Sequence, residues 1–229
     1  MSKPEGKLSF EKQVWLAQPG CVLAGVDEAG RGCLAGPVHA GAVTMPPERA
    51  AELYAGALAG LTDSKQLTPR QRSAFYEILA SEPGVCLAVG VCTAEEIDRL
   101  NILAATHLAM RRALEGLATK PSFALVDGLP VKGLPCPFQA IVQGDAKSFL
   151  IAAASVVAKV SRDRYMESVD AAYPGYGFSV NKGYGTHDHM EALFRLGSCA
   201  EHRHTFRPVR DVDESLPGLN PFENETERA

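Results

Sequence analysis

Two adjacent acids, Asp27 and Glu28, close an apolar run within the stretch CVLAGVDEAGRGCLAGPVHAGAV, residues 21–43. Gly30, Arg31 and Gly32 follow almost at once. Asp127 closes a second apolar run, FALV, just ahead of Gly128, and Asp145 follows a third in IVQGDAKS. Successive strand residues face opposite ways, so two neighbouring acids meet only where the strand stops or bends. The glycines after Glu28 permit such a bend. Groups at the carboxyl ends of neighbouring parallel strands can share one crevice. Four carboxylates gathered there without four bases repel one another. A divalent cation relieves that repulsion, and an all-oxygen donor set favours magnesium or manganese over zinc.

Each fragment also has an ordinary use. Asp-Gly pairs mark turns, and Lys65 in TDSKQL is by default a solvated loop lysine. GVDEAGRG places acids where the dinucleotide-binding loop needs glycine and spacing. The pairs His187/His189 and His202/His204 have i, i+2 spacing and share no helix face, so surface or phosphate contact is expected above metal ligation. The acids side by side before glycines are the least ordinary feature.

The elements that must position these groups alternate along the chain. Apolar, β-branched or alternating runs predict strands over 22–27, 38–44, 85–91, 123–126 and 138–142. Helical patterns cover 69–81, 102–117, 148–168 and 186–196, the first with Thr68 as N-cap and Pro69 in its opening turn. Two strands come first with little between them, and helices separate the rest. That order predicts an α/β fold, a mixed sheet with an antiparallel pair and parallel crossovers, flanked by helices. Residues 1–20 are expected to be a loosely attached extension and 21–210 one domain, helical from about 165. Residues 211–229 form an acidic tail, expected to be disordered.

The net charge of −4 is unevenly distributed. The last 19 residues hold six acids and one arginine, so residues 1–210 carry 22 basic and 21 acidic side chains. A neutral body with an acidic tail excludes no phosphate-bearing partner, because distribution governs that affinity. The longest nearly apolar run, FLIAAASVVA, is too short to span a bilayer, and the amino terminus lacks signal-peptide features. The six cysteines form no C-x-x-C pair and are expected to be reduced, in a cytoplasmic protein.

Together the motifs resemble those of the ribonuclease HII family, over about 21–209 and in the family's order. They are GVDEAGRGCLAGPV, DSKQL, LNILAATHLAMRRA, LVDG, QGDAKS, AAASVVAKVSRDRYM, YGFSVNKGYGT and EHRHTFRPV. The resemblance implies a ribonuclease H-like fold with a carboxy-terminal helical part. It also implies endonucleolytic hydrolysis of the RNA strand of RNA–DNA hybrids, and of single ribonucleotides within duplex DNA as in ribonucleotide excision repair.

Carried over by residue, the resemblance makes Asp27, Glu28, Asp127 and Asp145 the catalytic acids. With substrate they would hold two Mg2+ or Mn2+ ions, roughly 3.5–4 Å apart, and the products would carry 3′-hydroxyl and 5′-phosphate ends. Gly30, Arg31 and Gly32 match the segment that inspects the ribose 2′-hydroxyl, and Tyr184 matches a tyrosine that senses the ribose-to-deoxyribose junction. Ser64, Lys65 and Lys182 fall where the family meets backbone phosphates. The implied protein is a monomer with no membrane contact, and LPGLNPF in its tail is a weak docking peptide at most for a replication partner. The chain departs from the family pattern in a long 45–61 loop, in Ala152 where serine is usual, and in His204-Thr205 for Arg-Ser. Two rivals remain at this stage. A metal-dependent phosphatase for small molecules would also cluster acids at strand ends, but has no need of NKGYGT or of lysines spread over 65, 147, 159 and 182. A hybrid-binding module has no use for four converging acids.

Overall fold

The computed structural model describes residues 6–214. The chain opens with helix α1 (Ser9–Ala17) and then forms β1 (Leu23–Ala29) and β2 (Val38–Thr44), paired antiparallel. Helices α2 (Pro47–Ala55) and α3 (Pro69–Ser81) precede β3 (Cys86–Cys92), which lies antiparallel to β2. Next come α4 (Ala94–Leu100), α5 (Ile102–Gly116), β4 (Phe123–Asp127) and β5 (Phe138–Ile141). Strand β4 runs parallel to both β1 and β5, so the sheet order is β3-β2-β1-β4-β5. The chain continues through α6 (Gly144–Lys147), α7 (Phe149–Ala172), α8 (Phe178–Asn181), α9 (His187–Leu196) and α10 (Arg207–Glu214).

The sheet is sandwiched between two apolar layers, as an α/β fold requires. Leu23, Val43 and Leu125 pack with Phe149, Leu150 and Val157 of α7 on one face. Ala24, Val26 and Val126 pack with Ala109, Met110 and Leu114 of α5 on the other. Close approach depends on glycine. A Cβ at Gly25 or Gly41 would fall 2.1 or 2.3 Å from the backbone of α7, and one at Gly90 would fall 2.0 Å from that of α5. The run FLIAAASVVA is the first half of α7 and is buried at every position, which accounts for its continuous hydrophobicity. Among the described residues, no helix is long and apolar enough to cross a membrane, and the six cysteines are free.

All five strands and all four helices expected from the sequence are present, with ends shifted by a few residues. One shift matters. Strand β1 does not stop at Asp27 but continues to Ala29, with Asp27 opposite Gly41, Glu28 opposite Ala40 and Ala29 opposite His39. Pairing with β2 supplies backbone partners that an apolar-run count does not see.

The amino-terminal segment also departs from expectation. Helix α1 is docked, with Leu8 and Val14 in the α7-side core and Glu11 fully buried. The long 45–61 loop contains α2, and α10 carries the fold past the expected boundary at 210. The rest of the tail, including LPGLNPF, lies outside the described residues.

Candidate active site

The parallel register of β1 and β4 places the acids. Val26 is opposite Val126, so Asp27 and Asp127 come next on adjacent strands. Asp27 is on the parity of Gly25, the α7 face, and Glu28 is on the other. The two acids therefore flank the sheet's end rather than converging through a bend. A pocket of about 270 Å³ takes in Asp27, Glu28, Gly30, Lys65 and Tyr184, and a second of about 300 Å³ joins Glu28 to Asp127 and His107.

Their electrostatics are those of a crowded, undercharged cluster. Burial first, then the charges of Glu28, Asp127 and Asp145, push the Asp27 carboxyl well above the usual carboxylate range. Burial also raises Glu28, against the opposing pull of Arg31, whose Nη1 lies 3.2 Å from Glu28 Oε1. Asp145 is raised by burial, by Asp127 and by Asp63. Backbone donors fix three of the carboxylates. Glu28 N donates to Asp27 Oδ1 at 2.6 Å, Gly144 N to Asp127 Oδ1 at 2.6 Å, and Ala146 N to Asp145 Oδ1 at 2.8 Å. Among the described residues, no three His, Cys, Asp or Glu side chains already close around one ion-sized point. The all-oxygen donor set and its mutual repulsion nevertheless fit a hard divalent cation. Asp63 belongs to this cluster although the sequence reading passed over it. It stands beside Ser64 and Lys65, and only folding brings it to Asp145.

The Gly-Arg-Gly segment is built in the opposite way. Gly30 has φ +95°, and a Cβ there would fall 2.0 Å from Arg162 Nε. Two fully buried arginines hold the loop by its carbonyls. Arg203 Nη2 donates to Gly30 O at 2.6 Å, its Nη1 to Arg31 O at 2.8 Å, and its Nε to Gly36 O at 3.0 Å. Arg162 donates to Pro37 O, Ala35 O and Lys182 O, so the same guanidinium ties this loop to the segment leading into Tyr184. Burial pulls Arg203 down to about 10, which leaves it charged at neutral pH. Neither arginine was singled out in the sequence. The available signal was Arg162 falling at i+4 from Ala158 on a helix face continued by Met166, which patterning predicts to be buried.

Tyr184 stands where two cavities meet, because it lines both the acid pocket and a cleft of about 580 Å³ toward α7. Its side chain is 41% exposed, and burial of the remainder raises its phenol above the usual value. Gly183, at φ +80°, brings the loop against Ala35, and Gly183 O accepts from Leu34 N at 2.8 Å.

Half of the paired histidines keep the surface placement expected from their spacing, His204 as well as His187. His187 is exposed, but His189 and His202 are fully buried, with Nε2 atoms 3.1 Å apart. Cys199 N donates to His202 Nδ1 at 3.0 Å, so His202 carries its proton on Nε2 and donates to His189 Nε2. His189 then donates from Nδ1 to Tyr184 O at 2.8 Å. Burial and the neighbouring His189 hold His202 down to about 4, which keeps this relay neutral.

The predicted phosphate contacts divide. Lys65 stands exposed at the acid pocket, while Ser64 is buried with its hydroxyl bonded to Ser155 at 2.8 Å. Lys182 lines the larger cleft but is paired with Glu167 at 2.7 Å. Lys159 lines both cavities and pairs with Asp163 at 2.6 Å.

Comparison with known proteins converges on one family. The family model described as Ribonuclease HII matches residues 24–209. The Ribonuclease HII of Cereibacter sphaeroides is 51% identical over 209 residues, covering 90% of this chain and 93% of its relative. The ribonuclease H2 of Pyrococcus horikoshii OT3 superposes with a TM-score of 0.69 at 28% identity, over 84% of this chain and 97% of that structure. The Bst-RNase HIII solved in complex with Mn2+ shares the fold, with a TM-score of 0.65 at 19% identity over 90% of this chain and 80% of its own. The order of motifs, the mixed sheet and these matches agree: the chain belongs to the ribonuclease HII family, ribonuclease H hydrolases that act on the RNA of RNA–DNA hybrids.

Proposed function

We propose that the enzyme cuts the RNA strand of hybrids and also cuts at single ribonucleotides embedded in duplex DNA, leaving 3′-hydroxyl and 5′-phosphate ends. One observation carries the reading. Asp27 and Glu28 line one continuous pocket with the Gly30–Gly32 loop and Tyr184, and Glu28 also borders the pocket of Asp127, so a phosphate at these acids has its sugar beside the loop. Asp27, Glu28, Asp127 and Asp145 would hold two Mg2+ or Mn2+ ions, and the Mn2+ in the fold-neighbour Bst-RNase HIII supports a divalent ion here. Such ions, when bound, lower the pKa of an attacking water and stabilise the departing ribose oxygen.

The chain's own groups do the rest. Asp27 and Asp127 are held by backbone N–H donors, so their geometry is set before substrate arrives. Gly30 lets the loop close on Arg162, and Gly32, where an added Cβ would meet nothing within 4 Å, leaves the backbone open to the sugar edge, where one hydroxyl distinguishes RNA from DNA. The Tyr184 ring packs on a sugar that lacks the hydroxyl, and its phenol can meet the ribose side of the step. Exposed Lys65 meets phosphate directly, whereas Lys182 must first exchange Glu167 for it.

A labelled hybrid and a duplex with one embedded ribonucleotide, each assayed with and without Mg2+, test the reading. Metal-dependent cleavage of both, with phosphatase-sensitive 5′ ends, is expected. Cleavage of the hybrid alone would remove the junction role, and metal-independent cleavage would remove the ion role.

A further inference from the structure

Helix α1 and the residues just before it precede the stretch 24–209 matched by the family model. They nevertheless reach the turn that carries Asp145. Lys7 O accepts from Phe149 N at 2.9 Å, and Glu11 Oε1 accepts from Leu150 N at 2.9 Å and from Ser148 Oγ at 2.6 Å. Phe149 and Leu150 open α7, where backbone N–H groups have no partner inside the helix. Lys7 Nζ donates to Leu61 O at 3.1 Å and to Asp145 O at 3.5 Å. The loop leading to Ser64 and Lys65 is thereby joined to α6.

Glu11 is an expensive residue to place there. It is fully buried, its Oε2 has no partner, and burial pushes its carboxyl above the usual range. An apolar side chain would fill the same space without that cost. The carboxylate instead sits at the N-terminus of a 24-residue helix, where the helix dipole favours negative charge, and it takes two donors.

The geometry points to Lys7 and Glu11 as positioning residues of the metal centre: they fix the α6–α7 turn and so the place of the Asp145 carboxylate. This rests on the reading of Asp145 as a metal ligand. The segment expected to be loosely attached is then a working support of the site.

The test measures Mn2+ binding to free enzyme by the loss of free-ion EPR signal, with KM for hybrid and melting temperature alongside. Asp145→Asn should weaken Mn2+ binding most. Glu11→Ala should weaken it by about 10-fold with KM unchanged, the size typical of losing a group behind a metal ligand. Glu11→Gln keeps an oxygen for both donors and should restore binding. The double variant Glu11→Ala/Asp145→Asn should bind no more weakly than Asp145→Asn, because the two act through one group. A lower melting temperature with unchanged Mn2+ affinity in Glu11→Ala overturns the proposal and leaves the metal role of Asp145 standing. Unchanged affinity in Asp145→Asn overturns both. Should Glu11→Ala not fold, Ser148→Ala removes one of the two Glu11 bonds, and native Mn2+ affinity in that variant overturns the proposal.

Discussion

The acid cluster and the loop that faces it are built on opposite electrostatic plans. At the strand ends and in α6 just beyond them, Asp27, Glu28 and Asp145 are all raised by burial and by their neighbours' charge, so the carboxylates repel one another. Across the same pocket, the carbonyls of Gly30, Arg31 and Gly36 are all satisfied by a single buried guanidinium. One region needs a ligand to be comfortable, and the other is complete without one. On the proposed function, the difference separates chemistry from recognition: a cation can enter where charge is unbalanced, and a sugar can be gauged only against a backbone that does not move.

The strongest way to break this contrast is to empty the clamp. Arg203→Met leaves buried carbonyls of the loop without donors, at ~1–3 kcal/mol each. A loss of about 3–5 kcal/mol in unfolding free energy is expected by denaturant titration. A near-neutral result would mean that the loop is held elsewhere.

On the acid side, Asp127→Asn keeps shape and removes charge. Its rate in Mg2+ should fall by at least ~100-fold, about 2.7 kcal/mol of transition-state stabilisation, with native-like melting. Near-normal turnover under limiting Mg2+ would take Asp127 out of the metal set.

Tyr184→Ala sharpens the recognition side. Cleavage of a duplex with one ribonucleotide should fall by ~10-fold or more without a change in melting, and Tyr184→Phe should lose as much or less. Wild-type cleavage by the alanine variant would end the junction role.

The smallest effect has the opposite sign. A carboxyl raised in the folded state contributes stability that is present below its unfolded pKa and lost as pH rises through the folded value. Asp27 in the metal-free enzyme should therefore cost stability at neutral pH, and Asp27→Asn should be inactive yet melt a few °C higher, ~2–4 °C per kcal/mol relieved. Without divalent ions, wild type should gain on Asp27→Asn as pH is lowered through the raised pKa. A lower melting temperature for Asp27→Asn at pH 7 would show that the cluster is not repulsive.

Much of this was legible in the amino-acid sequence. Acids closing or just following apolar runs marked Asp27, Glu28, Asp127 and Asp145 as candidates, because strand and helix periods are local properties of the chain. The order of those runs sufficed for a mixed sheet with flanking helices. Folding decided the rest, because it depended on partners distant in sequence. Pairing with β2 carried β1 past Asp27 and put the two acids on opposite faces. Arg203 reaches Gly30 across 173 residues, and Glu11 reaches Leu150 across 139. His189 and His202, spaced like surface groups, became a buried relay, because α9 and the turn after it bring their rings together. Local chemistry named the acids proposed to hold metal. Only tertiary packing could supply the buried donors and acceptors that hold them, since no short-range pattern records which distant chain will satisfy a carbonyl.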